Sequence, residues 1–190
     1  MNDPIVLGVD PGFASFGWSI VKLSSTPEVL AAGVIRTKKA TKLQKTLASD
    51  DNVVRAREIY NTLQLIIESQ PQGKEIQAIC AEAMSWPRNA GAAAKVAIAW
   101  GVLAAVAEET RMSLLQASPQ AVKKAMTGRR DASKDEIKVA VWNLTLKRSA
   151  VDAVGATKLP AGCHEHMYDS IAVALTCADS DVVRLLRRAA

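Results

Sequence analysis

The beginning of the chain contains the feature that most limits the fold. Residues 5–9 (IVLGV) form a short apolar run that ends at Asp10, and a Pro-Gly pair then leads into a second apolar run at residues 16–23. A short apolar run bounded by turn residues predicts a central strand, and the short link predicts an antiparallel hairpin. Residues 29–37 predict a third strand, so the sheet cannot be purely parallel.

Helices and strands alternate along the rest of the chain. The predicted elements are a helix over 53–67, a strand over 76–82, a helix over 90–111, a strand over 112–117 and helices over 118–126, 133–147 and 164–186. This order predicts an α/β fold with a mixed five-stranded sheet flanked by helices. A length of 190 residues fits one domain over residues 1–190. Possible disorder is expected only at the termini and near residues 37–52.

Composition indicates a soluble globular protein, with 49% hydrophobic and 23% charged residues. The N-terminus lacks the basic start of a signal peptide. The most apolar stretch, residues 96–107, is shorter than the roughly 20 residues that span a bilayer. The cysteines give no paired framework and fit a reducing compartment. We therefore expect a cytoplasmic protein without membrane association.

Carboxylates follow two of the predicted strands, at Asp10 and Glu82. Sites in open α/β sheets form beyond the carboxyl ends of strands, and in the last predicted helix His166 and Asp169 share a face. Carboxylates with a histidine and no thiolate suit Mg²⁺, for which Mn²⁺ can substitute. An Asp-Pro-Gly tripeptide alone is more often a plain turn, so the predicted metal site depends on the conjunction of all four groups.

Five sequence blocks carry a family resemblance. They are GVDPGFASFGW, CAEAMSWPRNAGAAAKVAIAWGVLAAV, QAVKKAMTG, SKDEIKVAV and HEHMYDSIAVAL. In this order the chain resembles RuvC-type Holliday junction resolvases, which belong to the RNase H-like nuclease superfamily. The resemblance covers most of the chain, except the segment near residues 37–70 and the extreme C-terminus.

The resemblance implies an RNase H-like fold and four positions that are both metal-binding and catalytic: Asp10, Glu82, His166 and Asp169. Many family members have aspartate where His166 stands. The resemblance also implies a metal-dependent endonuclease that works as a homodimer. Such an enzyme binds a four-way DNA junction and resolves it by paired symmetric nicks during recombination or repair.

A net charge of +5 is compatible with a polyanionic partner. Trp86 and Arg88 follow the strand that ends at Glu82, where an exposed Trp could stack on a base; packing of Trp86 against the core is the alternative. Ser85 occupies the position where the family can place a junction-wedging aromatic. Basic residues that could pair with DNA phosphates, or simply form a solvated helix face, are Lys123, Lys124, Arg129, Arg130 and Lys134.

Other functions stay open from the sequence. An RNase H-like nuclease of another kind, including one that acts on RNA, would share the same residues. A non-catalytic nucleic-acid-binding module on this fold is disfavoured by the intact carboxylate set. An actin-like or sugar-kinase ATPase also opens with a strand, an aspartate and a glycine turn, but the sequence shows no second glycine-rich phosphate loop.

Overall fold

The computed structural model describes residues 3–70, 75–84, 89–145 and 163–189. The strands are β1 (Ile5–Asp10), β2 (Ser15–Lys22), β3 (Glu28–Arg36), β4 (Ile76–Glu82) and β5 (Ser113–Ala117). The α-helices are α1 (Ala48–Ser69), α2 (Ala90–Thr110), α3 (Pro119–Thr127), α4 (Lys134–Thr145), α5 (Cys163–Thr176) and α6 (Asp181–Ala189). Short 3₁₀ helices lie at Lys42–Gln44 and Cys177–Asp179.

The five strands form one mixed sheet in the order β3-β2-β1-β4-β5. The β1–β2 and β2–β3 pairs are antiparallel, whereas β1–β4 and β4–β5 are parallel. The predicted mixed five-stranded α/β sheet is therefore confirmed. Because Val9 of β1 pairs with Ala81 of β4, the carboxyl ends of these two central strands lie side by side.

Each face of the sheet has its own hydrophobic core. Successive side chains of a strand point to opposite faces, so Leu7 and Val9 pack with α1 and α2, while Val6 packs with α3 to α6. Burial on both faces explains why β1 is a nearly continuous apolar run rather than an alternating one. Asp10 shares the face of Val6, the face that α5 covers.

The last predicted helix, over 164–186, is wrong as a single element. Helix α5 ends at Thr176, a 3₁₀ turn follows, and α6 begins at Asp181. Ser180 has extended backbone angles, and its hydroxyl accepts a hydrogen bond from the Val183 N–H at 3.3 Å. This serine is an N-cap that starts a new helix. The helix predicted to reach residue 147 is described as far as Thr145.

The segment near residues 37–52 connects β3 to α1. It contains the 3₁₀ helix at Lys42–Gln44 and the first turn of α1, which begins at Ala48. The Asp51 carboxylate accepts a hydrogen bond from the Ala40 N–H at 2.8 Å. This bond closes the segment onto the helix that follows it.

Among the described residues, one helix is long and apolar enough to cross a membrane by length and composition alone. This is α2, with 21 residues and a mean hydropathy of 1.8. The expectation that its apolar stretch is too short is therefore wrong, because the helix extends beyond residues 96–107. One side of α2 packs in the core through Trp100, Leu103 and Val106, and core helices of soluble proteins share this composition.

Candidate metal centre

Two neighbouring strands deliver a carboxylate each to the same edge of the sheet. Asp10 is the last residue of β1 and Glu82 is the last residue of β4. Both line a cavity of about 140 Å³, together with Gly12, Met84 and Trp100. The sequence did not predict that Trp100 lies at this cavity, because nothing but its position in an apolar helix distinguishes it.

Two glycines allow α5 to lie directly on the sheet. Gly17 of β2 pairs with Asp10 of β1. A Cβ atom at Gly17 would stand 2.0 Å from the backbone oxygen of His166. A Cβ atom at Gly8 would stand 2.2 Å from the backbone oxygen of Ser170. Because neither position has a side chain, the start of α5 passes over the end of β1. Glycine inside a strand is a recognised signal of such an approach.

The aspartates and the histidine meet at this crossing. Candidate ligand atoms of Asp10, His166 and Asp169 all lie within 4.8 Å of one another. The Nδ1–H of His166 donates a hydrogen bond to Asp10 Oδ2 at 2.6 Å, since a carboxylate can only accept. Glu82 lies outside this group of three and faces Asp10 from the cavity. The predicted four groups therefore occupy one edge, and three of them are close enough to share one ion.

The carboxyl groups of this site resist simultaneous ionisation. Burial, followed by the charges of Asp10 and Asp169, raises the pKa of Glu82 to about 7. Burial, followed by the charge of Asp10, raises the pKa of Asp169 to about 6, against the opposing effects of Lys134 and His166. The hydrogen bond to Asp10 raises the pKa of His166, although burial opposes it. A bound cation would relieve this repulsion.

The residues present fit a hard divalent cation. Oxygen ligands from carboxylates, with one imidazole and no thiolate, are the donors that such ions prefer. Spacing within 4.8 Å lets one ion contact Asp10, His166 and Asp169 together. The partly buried carboxylates repel one another when ionised, and a bound cation would stabilise their ionised forms. The acidic group at this edge could therefore hold a metal.

A lysine stands beside the acidic group. Lys134, the first residue of α4, contacts the carboxylate of Glu165, and its Nζ lies 3.8 Å from Asp169 Oδ2. It also lowers the pKa of Glu82, as does Lys123 of α3. These two predicted phosphate-binding residues therefore act electrostatically on the site, although ammonium groups at this range do not cancel the raised carboxyl pKa values.

The other predicted DNA-binding residues form no ion pair with the site carboxylates among the described residues, or fall outside those residues. Arg129 is engaged by Asp131 at 3.1 Å and by Glu136 at 3.5 Å. Lys124 and Arg130 are exposed. Trp86 and Arg88 fall within residues 85–88, which lie outside the described part of the chain. Their predicted contacts with DNA stay predictions.

Comparison with known proteins agrees with this geometry. The sequence model of the family described as "Crossover junction endodeoxyribonuclease RuvC" matches residues 6–177. Curated relatives with that name include one from Natranaerobius thermophilus, 30% identical over 172 residues, which cover 86% of this chain and 96% of the relative. Another, from Chlorobium phaeobacteroides, is 29% identical over 187 residues, which cover 98% of this chain and 85% of the relative.

Solved structures share the fold. RuvC of Thermus thermophilus in complex with a Holliday junction substrate has a TM-score of 0.71 and 23% identity, over 92% of this chain and 93% of that one. The yeast mitochondrial Holliday junction resolvase Ydc2 has a TM-score of 0.62 and 14% identity, over 92% of this chain and 79% of that one. The predicted RNase H-like fold and the family resemblance are thus confirmed. The chain belongs to the RuvC family of crossover junction endodeoxyribonucleases.

Proposed function

We propose that this chain is a metal-dependent, structure-selective DNA endonuclease that resolves four-way Holliday junctions by paired symmetric nicks in recombination or repair. The observation that carries the proposal is the convergence of Asp10, His166 and Asp169 within 4.8 Å at the carboxyl end of β1, in a member of the RuvC family. The named activity of its relatives and the junction bound to the Thermus thermophilus protein support the substrate.

The four groups divide the work of holding a cation and preparing the site. Asp10, Asp169 and Glu82 offer carboxylate oxygens for Mg²⁺, with Mn²⁺ as a substitute, and His166 completes the set. When bound, such ions activate water and neutralise the charge that develops on a phosphodiester. The Nδ1–H of His166 donates to Asp10 Oδ2 and so fixes the orientation of that carboxylate. This leaves Nε2 as the ring atom that can ligate or accept a proton.

Basic residues around the site would bind the phosphates of the DNA backbone. Lys134 Nζ lies 3.8 Å from Asp169 Oδ2, and the charge of Lys123 lowers the pKa of Glu82. Both lysines would contact DNA phosphates near the site. The remaining members of the proposed DNA-binding set are Lys124, Arg129, Arg130, Trp86 and Arg88. Contacts of this kind position the duplex arms and weaken as salt concentration rises.

A homodimer is part of the proposal. The side of α2 that faces away from the core exposes a row of small residues: Ala94, Ala97, Gly101, Ala104 and Ala105. Such a row allows close contact with a second copy, and two-fold symmetry would present two sites to a roughly two-fold junction. Sedimentation should show a dimer at micromolar concentration, and a monomer there would contradict this part. We also propose that the protein is soluble and lies in the cytoplasm.

The test is a substrate panel with the full chain. A four-way junction with a mobile crossover, a linear duplex of the same sequence and an RNA–DNA hybrid are labelled on opposite strands, then incubated with Mg²⁺ or with EDTA. We expect paired nicks at symmetric positions in the junction alone, and only with Mg²⁺. Equal cleavage of the linear duplex, or preferred cleavage of the hybrid, would overturn the proposal. A separate incubation with ATP and Mg²⁺ measures phosphate release, and ATP hydrolysis without nicking would point to the ATPase class.

A further inference from the structure

A buried arginine contacts the turn that follows Asp10. The side chain of Arg55, in α1, donates from Nε to Thr37 Oγ1 at 2.8 Å and from a terminal nitrogen to the Phe13 carbonyl oxygen at 3.3 Å. Its guanidinium carbon lies 4.4 Å from the centre of the Phe13 ring. The Thr37 hydroxyl donates to the same carbonyl at 2.7 Å. Phe13 is therefore held by its backbone and by its ring.

Burial of the Arg55 guanidinium charge costs folding free energy. Arg55 is only 4% exposed, and a charge is rarely buried unless it is paired and hydrogen-bonded. Asp51, one helical turn earlier, supplies the counter-charge at 3.7 Å. An apolar side chain would fill the same volume without a charge to bury. What the guanidinium adds is a set of directed hydrogen bonds, and these converge on Phe13 and Thr37.

The turn from Asp10 to Phe13 connects the metal centre to the hydrogen bonds made by Arg55 and Thr37. Phe13 lies three residues after Asp10, and the Gly12 N–H donates to the Asp10 carbonyl oxygen at 2.8 Å. A Cβ atom at Gly12 would stand 3.8 Å from Cε1 of the His166 ring. A side chain at position 12 would therefore reach the ring that orients the Asp10 carboxylate, so this turn borders the His166 ring. Movement of Phe13 would shift the backbone of Asp10 and the space beside His166.

We propose that Arg55 is a positioning residue for the metal centre: through Thr37 and Phe13 it fixes the turn that carries Asp10. Metal ligands must be held close to their productive geometry by the groups behind them, and loss of orienting groups costs roughly 10- to 100-fold in metal affinity. Arg55 touches neither ligand nor substrate, so it acts only through Asp10. The inference rests on the metal site of the proposed function.

The experiment measures Mn²⁺ binding to the full chain by titration calorimetry, without DNA. Arg55→Lys keeps the charge but loses the forked donor geometry, and Thr37→Val removes the bridging hydroxyl with little change in volume. We expect each variant to bind Mn²⁺ about 10-fold more weakly than the wild type, near the lower end of the range for orienting groups. Arg57→Lys, an exposed change two residues farther along α1, is the matched control and should bind as the wild type does.

A double-mutant cycle separates positioning from simple destabilisation. In an Asp10→Asn background, Arg55→Lys should weaken Mn²⁺ binding no further, because the ligand that it positions is already lost. Unchanged affinity in both single variants, or a full additional loss in the Asp10→Asn background, would overturn the proposal. Binding is measured well below the unfolding temperature of each variant, so a lower Tm alone does not mimic the effect.

Failure of the proposed function would look different. A wild type that binds Mn²⁺ but does not nick the four-way junction would refute the nuclease proposal, while the Arg55 comparison could still be completed. A wild type that nicks the junction, with Arg55→Lys and Thr37→Val binding Mn²⁺ normally, would refute only the positioning role.

Discussion

Replacing Glu82 with glutamine should stabilise the protein in the absence of metal. Burial first, and then the charges of Asp10 and Asp169, raises the pKa of Glu82 from 4.5 to about 7. Ionised Glu82 is therefore unfavourable in the folded state, whereas a neutral glutamine of similar size carries no such cost. Because the pKa is raised on folding, the cost is absent below about pH 4.5, grows up to about pH 7 and is constant above it.

The size of the effect follows from this pKa. A rise from 4.5 to about 7 corresponds to about 3 kcal/mol, at about 1.4 kcal/mol per pH unit. Glu82 keeps partial access to solvent, and screening reduces the figure to about 1–2 kcal/mol. For a chain of this size, 1 kcal/mol moves the Tm by about 2–4 °C. Glu82→Gln should therefore raise the Tm in EDTA at pH 8 by about 2–8 °C.

Scanning calorimetry in EDTA, at pH 8 and at pH 5, measures this change. The gain should shrink strongly at pH 5, and Glu58→Gln, at an exposed position in α1, should leave the Tm nearly unchanged at both. Added Mg²⁺ should raise the Tm of the wild type by mass action and should raise the Tm of Glu82→Gln less. The wild type should then have the higher Tm. A Tm for Glu82→Gln that is equal to or below that of the wild type at pH 8 in EDTA would refute the electrostatic reasoning.

Further changes at the same edge of the sheet have separate expected outcomes. His166→Ala should lower the single-turnover cleavage rate more than the junction affinity, and His166→Asp should keep substantial activity, because a carboxylate is a good Mg²⁺ ligand; equal rates for wild type and His166→Ala would contradict this role. Wild-type cleavage should fall as pH drops through 7 and 6, as Glu82 and Asp169 take up protons. Gly17→Ala should destabilise the fold by about 3 kcal/mol or more, since its Cβ would stand 2.0 Å from the His166 oxygen. Thermal unfolding measures this loss, with Ser15→Ala on the same strand as the mild control.

Local patterns were sufficient to predict the sheet. The run at residues 5–9 is apolar on both faces and is bounded by turn residues, so its place at the centre of the sheet follows from its composition. The same reasoning locates the strand that ends at Glu82. Once both strands are parallel neighbours, their terminal carboxylates must share an edge, which is why Asp10 and Glu82 could be paired from the sequence.

Contacts between distant residues could not be predicted in this way. The partner of His166 is Asp10, 156 residues earlier, and Arg55 reaches the carbonyl of Phe13, 42 residues earlier. No periodic pattern specifies either contact, because each depends on how the layers pack. The break between α5 and α6 was missed for another reason: the apolar spacing continues through it, and only the Ser180 cap marks the new helix.

Cleavage of a four-way junction by the wild type and by Asp10→Asn tests the central claim most directly. The substitution removes one charge from the metal site at almost constant volume, and gel-shift in EDTA measures junction binding separately. We predict paired nicks by the wild type with Mg²⁺, and at least a 100-fold lower rate for Asp10→Asn (roughly the loss expected for a group that stabilises the transition state) with junction affinity within a few-fold of the wild type. Undiminished nicking by Asp10→Asn would contradict the account.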